Sequence, residues 1–359
     1  QIRGPLASPN LTGNLNSQQL GWQDWSLASL RARFRALGLG EQSMSLELDS
    51  ETLRQGNTEQ LAAAHISANG TLTSHTATAR FQRDEVSLET NLQGSLNVPN
   101  ALQTTAQWQG TVSDTRLTHQ QLGRWQQAAD TAVQLSSSAQ SLAPFCLGQR
   151  QSRLCLEGKH DTDNRIEASA SLSALPLALA GALLGPDFTV QGSLDGQATV
   201  QGPLDNPDGQ YQLQTRDAHI AVRNPDTPQE LAIEQLSVQG TLHNRRLASE
   251  LKLSSDLASA NAKVEHGLEA DSPLAGQVAL QISSLAPLSL FTTDLREISG
   301  ETRGDFALAG TLAQPLMNGS IRLENGRALI PALGVAVTDL QMTVQGSPRG
   351  QLDVTGSAA

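Results

Sequence analysis

The sequence predicts an all-β protein: a long, curled antiparallel sheet of repeated short strands around an apolar, half-open groove, with at most one or two short helices. Three observations carry that prediction. Apolar and polar residues alternate with period two in run after run, the pattern of a sheet with one apolar face. Glycines and turn-forming pairs punctuate those runs. One group of strands recurs along the chain at a spacing of roughly a hundred residues.

The alternation is clearest at Val278-Leu280-Ile282, Leu340-Met342-Val344 and Val86-Leu88, the last continuing through Thr90 to Leu92. Val-Gln-Gly recurs at Val190, Val200, Val238 and Val344, and related apolar-x-Gly endings occur at Ile2, Leu92, Trp108 and Leu308. These glycines are read as strand ends. The pairs Asn69-Gly70, Asp195-Gly196 and Asn325-Gly326 are read as two-residue hairpin turns, because both central residues of such a turn need positive φ.

The longer repeat begins at Gly4-Pro-Leu6 with Pro9, Gly202-Pro-Leu204 with Pro207 and Gly310-Thr-Leu312 with Pro315, each entering a strand after Gly13, Gly209 or Gly319. Leu175-Pro-Leu177 and Pro287-Leu288 precede the later two copies. Every copy then slips phase by one three-residue step: Leu27 to Leu30, Ile233 to Leu236, Val337 to Leu340. A bulge or a turn between two strands produces such a step. The repeat argues for strand across Trp22–Leu37, where an amphipathic helix carrying Trp22, Leu30, Phe34 and Leu37 is the competing reading. Gln121–Gln140 lacks a counterpart, so a short helix with Leu122, Trp125 and Val133 stays open there. The chain reads as one continuous elongated segment, 1–359, with sub-blocks 1–120, 121–170, 171–283 and 284–359. Its start at Gln1 and its stop in mid-pattern read as cuts from something longer.

Composition narrows the class. Only 3% of the 359 residues are aromatic and 38% are hydrophobic, so the chain lacks the filling of deep globular cores. Leu, Val and Ala spread evenly, which suits a thin structure. The net charge is −11 with no basic cluster, so a nucleic-acid partner is not expected. No apolar run reaches the length of a bilayer span. Leu172–Phe188 comes nearest, but Pro176, Gly181, Gly185 and Pro186 break it into a short amphipathic helix or strand pair.

Cys146 and Cys155 flank eight mostly polar residues, the layout of a hairpin with one cysteine on each arm. A disulfide, two free buried thiols, or half of a zinc site completed through His160 are the readings open. A disulfide implies an oxidising compartment.

No catalytic, metal or cofactor constellation emerges. The seven histidines (65, 75, 119, 160, 219, 243, 266) are scattered, and the carboxylates are as dispersed as on a solvated face. Gly192–Gly196 has serine in the wrong place for a nucleophile elbow, and Gly38-Leu-Gly40 lacks the third glycine of a dinucleotide loop. The sequons at Asn10, Asn69 and Asn318 are what a Gln- and Ser-rich chain yields by chance. The expectation is no enzyme. A one-sided apolar sheet must cover its face, and a curled sheet of about twenty-five strands at ~4.8 Å spacing would leave an apolar channel running roughly 100 Å or more.

The Gly-Pro-Leu-x-x-Pro strand entry, the Leu-Pro-Leu-Ala-Leu segment before Val-Gln-Gly, and the Cys-Leu…Leu-Cys-Leu-x-Gly stretch from Cys146 to Gly158 resemble the TamB family of Gram-negative envelope proteins. On that resemblance the chain is an interior-to-C-terminal piece of an inner-membrane-anchored protein crossing the periplasm as an AsmA-like groove. The resemblance implies phospholipid movement toward the outer membrane, with acyl chains as the bound partner. It also implies a role with the outer-membrane barrel TamA in assembly or secretion of outer-membrane proteins. It offers no catalytic residues. What transfers is an inward stripe, with Leu88, Leu92, Leu251, Leu253, Leu280, Ile282, Ile321 and Leu323 as groove candidates. A scaffold that offers sheet edges to unfolded β-barrel substrates, and a cargo-free structural β-solenoid, are the competing classes.

Overall fold

The computed structural model describes residues 2–3, 10–37, 43–97, 106–120, 123–180, 188–222, 230–286, 294–347 and 352–359. The expectations placed on Gly4–Pro9, Gly38–Gly40, Leu122, Gly181–Pro186 and Pro287–Leu288 lie outside them. The chain divides into two compact units, Gln1–Ala170 and Ser171–Ala359. Among the described residues every regular element but one is a strand.

The first unit holds β1 (Ile2–Arg3), β2 (Asn10–Trp22), β3 (Trp25–Leu37), β4 (Met44–Gln55), β5 (Thr58–Gly70), β6 (His75–Arg83), β7 (Val86–Asn97) and β8 (Gln107–His119), each antiparallel to its predecessor. Beyond β8 the next position is filled by two short pieces. β9 (Gly123–Gln127) pairs with Arg116–His119, and β10 (Thr131–Ser136) pairs with Gln107–Val112. β11 (Gln140–Gln149) touches both, and β12 (Ser152–His160) follows it. β13 (Arg165–Pro176) runs across residue 170.

The second unit continues with β14 (Phe188–Pro203), β15 (Asp208–Val222), β16 (Glu230–His243), β17 (Arg246–Ser255), β18 (Ala258–Gly267), β19 (Leu274–Ile282), β20 (Arg296–Gly310), β21 (Pro315–Ile330), β22 (Val335–Gly346) and β23 (Leu352–Ser357). From β14 onward each strand is antiparallel to the next. The fold class is therefore the one the alternation predicts.

Three local readings are decided by the strand pattern. The helix left open over Gln121–Gln140 is replaced by β9 and β10. The Gln127 side chain spans the break between them: its Nε2 donates to the carbonyls of Val112 and Ala129 at 2.7 Å, and its Oε1 accepts from Thr115 N–H. Thr131, 1% exposed, closes the gap by donating to Pro144 O. Across Trp22–Leu37 the strand reading holds, with β2 turning into β3 at Gln23–Asp24. The apolar stretch after Leu172 ends β13 and then makes one 3₁₀ turn, Leu177–Ala180.

The turn pairs fare less well. Asn69-Gly70 closes β5 ahead of a turn in which Thr71 N–H donates to Ser74 O. Asp195-Gly196 lies inside β14, paired with Gln214 and Leu213, and Asn325-Gly326 lies inside β21. Likewise Gly192 and Gly240 sit within strands rather than at their ends. The tight turns use other residues able to take positive φ, such as Gly56, Asp84, Arg150, and Asn244 with Arg245.

The phase slip is a register defect crossing neighbouring strands. In β14–β16 it runs through a shift at Gln191/Ser193, left-handed Asp217 (φ 48°) and a shift at Ile233/Gln235. In β20–β22 it runs through Glu297, Asn325 and Asp339, all left-handed, with shifts on both sides of Gly326. Of the two origins the sequence left open, the bulge is the one used. An extra residue bends a strand and adds twist. Defects aligned across neighbours therefore bend the sheet along a line, while the three-residue step returns apolar side chains to the same face.

A single layer explains the burial. In each unit the main contacts between described strands run between hydrogen-bonded neighbours, and the 3₁₀ turn Leu177–Ala180 lies against β14. Few apolar side chains are fully buried: Ala64, Ala79, Trp125 and Leu147 in the first unit, Ala218 and Leu274 in the second. Much of the rest of the apolar face is half-buried, worth about 1 kcal/mol per leucine against full exposure, while Phe34, Leu46, Leu213 and Met342 on it are exposed.

Candidate functional site

Directly opposed residues of antiparallel strands share a face, so the registers assign every side chain to one side or the other. In the second unit Leu236 faces Leu253, Leu253 faces Ala260, Ala260 faces Leu280, Leu280 faces Gly304, Gly304 faces Ile321, and Ile321 faces Val344. One residue over, Ser237, Lys252, Asn261, Ala279, Asp305, Ser320 and Gln345 face one another in the same order. Along these rows the sheet has one apolar and one polar side, with Ala279 the one apolar residue on the polar side.

The eight groove candidates fall on the apolar side of their own unit. Leu251 lies between Val238 and Ala262, and Leu253, Leu280 and Ile321 belong to the row above. Ile282 and Leu323 both oppose Thr302. In the first unit Leu88 lies between Phe81 and Leu117, and Leu92 between Ala77 and Val112. All eight are half-buried.

Scarce aromatics are spent on glycines of this face. A Cβ on Gly13 would strike the Phe34 ring, its cross-strand partner, and a Cβ on Gly240 would lie 2.5 Å from the Tyr211 ring. Each ring covers backbone that glycine leaves bare, the cross-strand rescue that sheets use to offset a missing side chain. Tyr211 also donates from its hydroxyl to Ser249 Oγ at 2.8 Å, which satisfies its polar end. Trp108 donates from Nε1 to His75 Nε2 at 2.8 Å, and the His75 Nδ1 lies 3.0 Å from Thr71 O. Apolar alternation in the sequence points to none of these pairings, because each joins strands whose register the sequence does not state.

Cys146 opposes Cys155 directly and is bonded to it. Their neighbours Phe145, Leu147, Leu154 and Leu156 project to the other face by strand alternation. His160 is engaged elsewhere, 2.9 Å from Gln140 Oε1 and 3.0 Å from Asn164 Oδ1. The zinc reading therefore gives way to the disulfide. Other histidines pair with carboxylates across strands on the polar side, His65 with Asp49 at 2.7 Å and His243 with Asp208 at 2.6 Å. Among the described residues no three His, Cys, Asp or Glu side chains are grouped to hold a metal ion, and no helix is long and apolar enough to cross a membrane.

A feature absent from the sequence reading is a trough of about 960 Å³ across β14–β20. Each strand from β14 to β19 contributes three consecutive residues, such as Gln197-Ala198-Thr199 and Gln239-Gly240-Thr241. The outer two lie on the polar face and the middle one on the apolar face. The trough therefore sits on the polar side, walled by outer side chains and floored by backbone. None of the eight groove candidates lines it.

Residues 1–323 match the family model described as TamB, N-terminal domain. The likeness is thus to the family's N-terminal domain, where the sequence reading placed the chain in an interior-to-C-terminal stretch. The chain is 21% identical over 346 residues to the translocation and assembly module subunit TamB of Haemophilus influenzae, covering 94% of this chain. It spans 26% of that relative's length. No solved structure matches. With one apolar face repeated over many antiparallel strands, the chain belongs to the TamB family.

Proposed function

We propose that the apolar face is a groove for phospholipid acyl chains, and that this segment is a non-enzymatic, periplasmic part of an inner-membrane-anchored envelope protein moving phospholipid toward the outer membrane. The unbroken apolar row from Leu236 through Leu253, Leu280 and Ile321 to Val344 carries the reading. Acyl chains need a continuous apolar surface and few fixed polar anchors. Half-buried leucine, valine and alanine offer that, and the family membership supports it. The registers also keep Lys, Asp and Glu off the row, so a chain sliding along it meets no buried charge.

The relative's name, translocation and assembly module subunit, favours a second reading: a scaffold acting with the barrel TamA in assembly or secretion of outer-membrane proteins. Mass spectrometry of the protein purified from cells separates the two. The lipid reading expects bound phospholipid that disappears when Leu253→Asp and Leu280→Asp are combined. If those substitutions abolish secretion of barrel substrates while lipid flux stays intact, the scaffold reading replaces it.

A further inference from the structure

We propose that the polar face of the second unit binds a neutral carbohydrate chain, lying across β14–β20 on the side opposite the apolar row. The site is the 960 Å³ trough, which continues into an adjoining hollow of about 580 Å³ over β17–β21. These volumes are in the range of sites that enclose a ligand of several rings.

The wall chemistry selects the ligand. The registers place Gln197, Gln212, Gln239, Glu250, Lys263 and Gln277 in one line across six strands. Thr199, Gln210, Thr241 and Glu265 belong to the facing wall. A primary amide presents two donors and a two-lone-pair acceptor, and a hydroxyl presents both roles, which suits a ligand made of hydroxyls. The line repeats at the strand spacing of ~4.8 Å, with neutral polar pairs Gln197/Thr199, Gln212/Gln210 and Gln239/Thr241 on β14–β16, an ionic pair Lys263/Glu265 on β18, and Ala248 and Ala275 facing Glu250 and Gln277 on β17 and β19. A linear polymer of pyranose rings presents hydroxyls with a comparable recurrence.

The charges exclude the obvious rivals. Glu250 accepts from Gln239 Nε2 at 2.9 Å and lies 3.4 Å from Lys252 Nζ and 3.8 Å from Lys263 Nζ. Over the trough and hollow together Glu250, Glu265 and Asp305 stand against Lys252 and Lys263, a single net negative charge, too small an excess to draw a polycation and of the wrong sign for a polyanion. Position adds an independent argument. Each of the strands β15–β20 is hydrogen-bonded on both sides, so the trough is a built part of the sheet, away from hairpin tips and free edges.

The test uses the 359-residue chain with two probes, maltohexaose and the N-acetylglucosamine hexamer, which separate a plain glucan from an amino-sugar wall glycan. Nuclear magnetic resonance of the unmodified protein should show saturable shifts of glutamine side-chain amide signals with at least one probe. Gln212→Leu combined with Gln239→Leu should weaken binding at least tenfold, while Leu280→Asp on the other face should leave it within twofold. The circular dichroism melt of each variant checks that it is folded. If neither hexamer shifts the amides, or if the double variant binds as well as the parent, the proposal is overturned.

Discussion

Cys146 on β11 and Cys155 on β12 oppose each other with their Cα atoms 4.1 Å apart, on the face away from the leucines that flank them. The bond closes a loop of nine residues' separation. In the chain-entropy account a closure this short stabilises by about 2.5–3 kcal/mol. Replacing both cysteines with serine should lower the urea unfolding free energy of the protein by about that amount. Dithiothreitol should then leave the variant's transition unchanged while shifting that of the parent.

Asp195 Oδ1 accepts the backbone N–H of Ala174 at 3.1 Å, and its Oδ2 lies 2.8 Å from Arg216 Nε. Ala174 is left-handed, with φ 50°, so this carboxylate helps hold a backbone shape that alanine resists. Asp195→Ala should cost about 1.5–3 kcal/mol in chemical denaturation, as expected for a lost hydrogen bond to a charged acceptor. Ala174→Gly should offset part of that loss by relaxing the same position.

Tyr211 and Gly240 test the covering of bare backbone. Gly240→Val drives a branched side chain into the Tyr211 ring, an overpacking expected to cost about 1–3 kcal/mol. With Tyr211→Ala added, the Gly240→Val penalty should shrink, giving a measurable coupling in a double-mutant cycle.

These residues also mark how far the sequence is legible. Period-two alternation places Leu251, Leu253, Leu280 and Ile321 on one face because side-chain direction in a strand is local. The three-residue steps at Ile233 and Val337 are readable as defects for the same reason. Asp195-Gly196 and Asn325-Gly326 mislead because a residue able to turn a hairpin is equally able to occupy a bulge, and only the partner strand decides. The break between β9 and β10 is held by the Gln127 side chain reaching to Val112, a contact made across strands. The polar trough is built from triplets on separate strands, each unremarkable alone.

Glu250 gives a pH signature. The hydrogen bond from Gln239 leads the causes that hold its carboxyl below the ordinary value of 4.5, with Lys252 and Lys263 adding to it against partial desolvation. A carboxylate with a depressed folded pKa contributes stability above its unfolded pKa and loses it as pH falls through the folded one. A carbon-detected titration should therefore place Glu250 below free glutamate, and Gln239→Ala should move its midpoint upward.

The central claim concerns the apolar row. A photo-crosslinking residue at Leu280 or Ile321, on that row, should trap phospholipid in living cells. The same residue at Gln281 or Arg322, one step along the strand and on the polar face, should not. Phospholipid captured equally from both faces, or from neither, would contradict the account.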